Sequence, residues 1–106
     1  MPKFLIKGSY TAEGMKGLQK DKASGREKSV ARVCKSVGGK LDAMYYALGD
    51  DDVLAVVDLP SHVHAASLSV AVGASGMVSV RTVPLLTVAE MDKALGEGTK
   101  YRPPGR

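Results

Sequence analysis

Four runs of alternating apolar residues, two stretches of helical spacing set between them, and a tight turn joining the middle pair predict an α+β domain. Its order is β-α-β-β-α-β with one further helix at the end. At 106 residues the chain is long enough for one hydrophobic core and too short for two. With 44% apolar and 25% charged residues it has a globular composition, which argues against wholesale disorder and against a fibrous or repeat design.

Residues 2–10 alternate, with Phe4, Ile6 and Tyr10 on one side and Leu5, Lys7 and Ser9 on the other, as a strand requires. Thr11 caps a short helical turn that Gly14 and Gly17 weaken. Lys20 to Gly25 reads as a loop, with Ser24 as the cap of the helix that follows. From Arg26 to Val37 the residues Val30, Val33, Cys34 and Val37 stand at i, i+3, i+4 and i+7, one apolar stripe, and Gly38 with Gly39 ends the helix. Lys40 to Leu48 and Val53 to Leu59 form a hairpin about Gly49, Asp50, Asp51 and Asp52. Pro60 stops the third strand, and Ser61 starts a helix to about Ala74 that is apolar nearly all round and so expects neighbours on more than one side. Met77 to Leu86 is the fourth strand, and Thr87 with Glu90 has capping-box spacing for a last helix ending near Leu95. Right-handed crossovers over one antiparallel sheet then give the ferredoxin-like, split βαβ arrangement with strand order 4-1-3-2. Residues 1–98 make up the domain, and residues 99–106, with Pro103 and Pro104, an extended tail.

Helices cover only one side of such a sheet. Val53, Ala55, Val57 and Leu59 face them, which leaves Leu54 and Val56 on the outer side, and alternation adds Leu5, Met44, Leu48 and Val83. A sheet with one face in water normally alternates apolar with polar, and this one does not. A second copy packed sheet to sheet supplies the missing cover, since large apolar patches mark interfaces and two-fold pairing is the commonest assembly. Cover by the tail alone is the alternative.

Charge is segregated along the chain. Residues 1–40 hold ten Lys/Arg against three Asp/Glu, residues 41–99 two against eight, and the tail adds three cations. The solvated side of the first long helix accounts for most of the lysines. The N-terminus has too short an apolar stretch for a signal peptide, no segment has the apolar length of a membrane span, and the lone Cys34 forms no internal disulfide, so a cytoplasmic protein is expected.

Several short pieces, in order along the chain, carry a resemblance: Lys3 to Gly14 (KFLIKGSYTAEG), Ser24-Gly25-Arg26, Gly38-Gly39-Lys40-Leu41, the Gly49 to Asp52 turn, Val57-Asp58-Leu59-Pro60 and Tyr101 to Gly105. Together they resemble the GYD domain family. That family's motif is Gly-Tyr-Asp or Gly-acid-Tyr-Asp at the hairpin, and Gly49-Asp50-Asp51-Asp52 has an aspartate, Asp51, where the tyrosine stands. The resemblance implies a dimeric α/β barrel built of two ferredoxin-like units, in a family without an established biochemical function. Other proteins of that architecture are cofactor-free monooxygenases, isomerases, haem-binding enzymes and stress-response proteins, so the fold does not choose a chemistry.

Alternation places Lys7, Ser9, Asp42, Tyr46, Asp58, Ser79 and Arg81 on the outer sheet face, with Arg81 beside Lys7 and Ser9, then Asp58, then Tyr46. Polar groups converging in an apolar cavity make a small-ligand site. The competing reading is a structural ion pair, Asp58 with Lys7 or Arg81, that fixes dimer register. His62 and His64, at i and i+2, point to different sides of their helix and make no joint metal site; His64 is a base or ligand if turned inward, and a solvated residue otherwise. The three aspartates of the hairpin are explained by turn chemistry, and Cys34 by burial in a helix stripe. No GxGxxG or GxxxxGK[ST] pattern occurs, and a sheet face offering chiefly Tyr46 has little on which nucleic-acid bases could stack.

The expected function is thus a homodimer, or a larger assembly of dimers, binding a small organic ligand between its sheet face and its helices or partner. Lys7, Ser9, Tyr46, Asp58, Arg81 and His64 are the candidate ligand contacts. No metal, cofactor, nucleic acid or membrane is called for. A cofactor-independent oxygenase or isomerase is the first rival, and a structural or interaction module without ligand the second.

Overall fold

The computed structural model describes all 106 residues. Strand β1 runs Lys3–Tyr10, helix α1 Ala12–Ser36, strands β2 and β3 Lys40–Tyr46 and Val53–Asp58, helix α2 His62–Gly73, strand β4 Val78–Leu85, and helix α3 Val88–Leu95. The four strands form one antiparallel sheet in the order β2-β3-β1-β4, the predicted order. Helix α1 packs on β2 and β1, and α2 on β4, so both lie on the same face. Between them and the sheet sits the core: Phe4, Ile6, Ala55, Val57 and Leu59 from the strand side meet Cys34 of α1 and Ala65 and Leu68 of α2.

Helix α1 departs from the predicted short turn and loop. It is continuous but for a kink at Lys22, whose φ of 66° and ψ of 164° belong to a region normally left to glycine. Thr11 is the cap, as predicted: its Oγ1 accepts from Gly14 N at 3.1 Å, while Ser24 lies inside the second half. Gly14 is required rather than merely tolerated, since a Cβ there would stand 2.0 Å from the carbonyl oxygen of Met77. The residue that lowers helix propensity is the one that lets the helix start rest on the entry to β4. Only one side of α2 is covered. Ala65 and Leu68 are buried, whereas Val63 and Val70 face outward, so the neighbours that its all-round apolar character predicts are not supplied within the chain.

The second correction concerns β2. Leu41 pairs with Val57 and Ala43 with Val56, leaving Asp42 as an extra residue in a bulge. Past the bulge the alternation is shifted by one, and Met44 and Tyr46, paired with Ala55 and Val53, face the helices instead of the outer side. Simple alternation from Lys40 puts both on the wrong face because it counts Asp42 as an ordinary step.

The outer face is therefore built in rows. Arg81, Lys7, Leu54 and Tyr45 form one, Val83, Leu5, Val56 and Ala43 the next, and Leu85, Lys3, Asp58 and Lys40 a third. An apolar middle row lies between two rows that carry charge. No helix of the molecule is long and apolar enough to cross a membrane.

Candidate functional site

The face that holds the cavities is the inner one, between sheet and helices. Because α1 leans on β2 and β1 and α2 on β4, the two helices leave a gap over the sheet, at whose floor the Val53 and Val78 side chains close over Gly8. The resulting cavity, about 80 Å³, is walled by Ile6, Val30, Cys34, Met44, Leu68 and Val80 among others. A larger cleft of about 400 Å³, between the first half of α1 and α2 with the start of β4, adjoins it. Tyr10, Arg26, Val33, Val72 and Val78 line both, so the two adjoin across these side chains.

Glu13, Asp21 and Ser75 line the cleft alone, Ser29 the inner cavity alone, and Tyr10 and Arg26 line both. The hydroxyls of Tyr10 and Tyr46 lie 3.4 Å apart, and Arg26 Nη1 is 3.6 Å from Asp21. Burial, and then the Tyr10 hydroxyl beside it, push the Tyr46 phenol well above its ordinary range, so it stays a neutral hydrogen-bonding group at any physiological pH. Burial likewise pushes the Cys34 thiol up. The inner cavity wall has no carboxylate and no imidazole, so proton abstraction there has no evident base. Tyr10 and Arg26 are not among the expected ligand contacts, although both fall in pieces that carry the family resemblance, Lys3 to Gly14 and Ser24-Gly25-Arg26, and Tyr10 falls in register with Phe4 and Ile6.

The polar residues of the outer face form two ion-pair groups rather than one convergent site. Arg81 donates to Asp51 Oδ1, and Lys7 Nζ lies 3.9 Å from Asp51 Oδ2. Lys7 and Arg81 are directly opposed across β1 and β4, as expected, and two cations so placed repel; the hairpin carboxylate lies against both. Ser9 sits beyond them, its Oγ donating to the Asp50 carbonyl at 3.2 Å. Asp58 is at the other end of the sheet, where Lys3 Nζ reaches it at 2.9 Å and also donates to Asp42. The expected Asp58 pairing with Lys7 or Arg81 is thus replaced by Lys3 with Asp58 and Asp51 with Arg81, because the register sets Lys3, and not Lys7, against Asp58. The Lys3 ammonium beside it holds the Asp42 carboxyl below the usual range. His64 joins neither group. Its Nδ1 lies 2.7 Å from Ser61 Oγ at the start of α2, while His62 stands edge-on to Phe4 with ring centres 5.4 Å apart.

Asp52 has a structural duty at the hairpin. Its Oδ2 accepts from Tyr10 N at 2.9 Å, and its own N donates to the Gly8 carbonyl at 2.8 Å, which ties the turn to the end of β1. The turn is thereby held where Asp51 meets Arg81.

Strand order and helix placement define a ferredoxin-like α+β domain, with a cavity walled from both layers on its helix side. The family model for the GYD domain matches residues 4–95, and the chain belongs to the GYD domain family. No curated protein and no solved structure matches it. At the place of the motif tyrosine this member carries Asp51, the partner of Arg81 and Lys7.

Proposed function

We propose that the protein is a homodimer that binds a small, largely apolar organic molecule on the helix side of its sheet. The observation that carries this reading is the mostly aliphatic inner cavity of about 80 Å³, which shares Tyr10 and Arg26 with an adjoining, more polar cleft of about 400 Å³. Such a lining holds an apolar body by burial, while the neutral Tyr46 hydroxyl and the Arg26 guanidinium orient one oxygen of the ligand. The pairing of two copies is supported by the apolar middle row of the outer face.

Titration with 1-naphthol, followed by its fluorescence, tests the site. Val72 lines both cavities, and Val72→Trp is expected to fill them and weaken binding at least about tenfold, the difference that roughly 1.4 kcal/mol makes. Native mass spectrometry of protein from its own host reads out a retained small molecule. No naphthol binding by the unaltered chain, together with a bare chain mass, overturns the reading.

A further inference from the structure

Charge is paired unevenly over the molecule. Helix α1 holds seven Lys/Arg against three Asp/Glu, a balance equal to the net charge of +4 of the whole chain, so all other residues together are neutral. On the sheet, Lys3, Lys7, Lys40 and Arg81 each lie against a carboxylate. Of the seven cations of α1 only Arg26 does so, at Asp21. The turn of the helix sorts the rest. Val30, Val33 and Cys34 pack against the core. At 3.6 residues per turn, Lys28, Arg32 and Lys35 stand at i, i+4 and i+7 on the side turned away from that stripe, and all three are exposed. Like charges so spaced repel one another along a helix. The acid nearest in sequence does not relieve them, because Glu27 has Val30 and Ala31 at i+3 and i+4.

An external anion relieves this repulsion, and the surroundings of the stripe restrict its kind. Ser24, Gly25, Ala31 and Ser36 flank the three cations, so no aromatic or large apolar side chain is there to anchor a protein partner. A bilayer takes up the apolar side of a surface helix, and in this half of α1 that side is already packed on the sheet. Single strands are held by stacking on aromatic rings, and α1 contains none. The phosphates of a duplex need cations alone. Lys28 to Lys35 spans about 10 Å of helix axis, and a DNA duplex presents one charge per ~1.7 Å of its own, so each cation has a phosphate to meet. The small flanking residues let the helix come close to a backbone. The sheet face, which offers bases little to stack on, is a different surface and takes no part.

We propose that Lys28, Arg32 and Lys35, on the solvent side of α1, bind the phosphate backbone of a nucleic-acid duplex without regard to its sequence. The inner cavity is not involved, and the proposal stands apart from the ligand site described above. Fluorescence anisotropy of labelled duplexes of about 20 base pairs, titrated with the full chain from ~20 mM salt upward, tests it. Two DNA duplexes of unrelated sequence are expected to bind alike, with log K falling against log salt at a slope of about −2.7 or steeper, three contacts at about 0.9 each. Lys28→Gln, Arg32→Gln and Lys35→Gln together are expected to remove about 2.7 from that slope and to weaken binding at least about tenfold at ~50 mM salt. Glutamine keeps the helix propensity of the residues it replaces, so circular dichroism is expected to be unchanged. If the triple variant misfolds, the three single variants replace it, each expected to remove about 0.9 from the slope. Lys100→Gln, Arg102→Gln and Arg106→Gln, an equal loss of charge from the tail, are expected to leave the slope nearly as it is. No binding by the unaltered chain at ~100 μM protein and ~20 mM salt overturns the proposal. So does a slope that the α1 variants leave unchanged, an equal fall in the tail variant, or a strong preference for one of the two sequences. Binding to phosphatidylserine vesicles with none to either duplex overturns it in favour of a membrane surface.

Discussion

Cys34 shows how one side chain can report on the core. It is fully buried on the helix stripe, against the sheet and at the cavity wall, and that burial favours the neutral thiol. A thiol whose folded pKa lies above its unfolded value adds stability that is complete below the unfolded pKa. That stability is lost as pH rises through the folded one, because only the unfolded chain then gains from ionising. The expected result is a fall in unfolding free energy from this group as pH rises above the ordinary thiol range. Urea melts of the wild type and of Cys34→Ala measure it, and parallel pH profiles for the two would refute the assignment. Asp51 makes a different point at the same scale. An acid at the motif tyrosine position is legible in the sequence, but its partners are not, because Lys7 and Arg81 become neighbours only through the β1–β4 register.

Among the elements, α1 departs furthest from expectation. Glycines at 14, 17 and 25 predict weak helix, yet the chain remains helical apart from Lys22, since packing on β1 and β2 outweighs propensity. The kink holds a lysine in a conformation that costs of order 1–3 kcal/mol. Lys22→Gly removes that strain against a smaller loss of backbone entropy, so a gain of about 1 kcal/mol is expected. The urea midpoint reads it, with Lys22→Ala as the control that gains nothing from glycine's freedom. Because the kink borders the larger cleft, where Gly17, Asp21 and Arg26 lie, the same substitution tests whether the strain shapes the entrance. Unchanged naphthol affinity in Lys22→Gly would show that it does not.

For the whole molecule, element order, sheet order and the α3 cap follow from periodicity and turn residues, and all are present in the structure. The reason is that each depends on short-range pattern: alternation in β1 and β3, the Val30–Val37 stripe, the Thr87 and Glu90 spacing. The site is less legible. A cavity is a difference between facing surfaces, and here it depends on how far α1 and α2 splay, which has no local signature. Placement of polar residues on the outer face succeeds for Lys7, Ser9 and Arg81 and fails for Tyr46, because β2 is the one strand with a bulge.

The bulge also bears on which changes of chain length the protein can accept. Deleting a residue from a paired strand usually turns every later side chain over and destroys the sheet. In β2 the ladder already passes over Asp42, and pairing resumes with Ala43 against Val56. A chain lacking Asp42 is therefore expected to fold with an uninterrupted β2, keep Met44 and Tyr46 inward, and lose only the carboxylate that Lys3 and Lys40 share. Removing Val56 from β3, where there is no spare residue, is expected to abolish folding. Amide spectra of the two deletion variants would make the comparison, and a collapsed spectrum for the first would show the bulge to be indispensable.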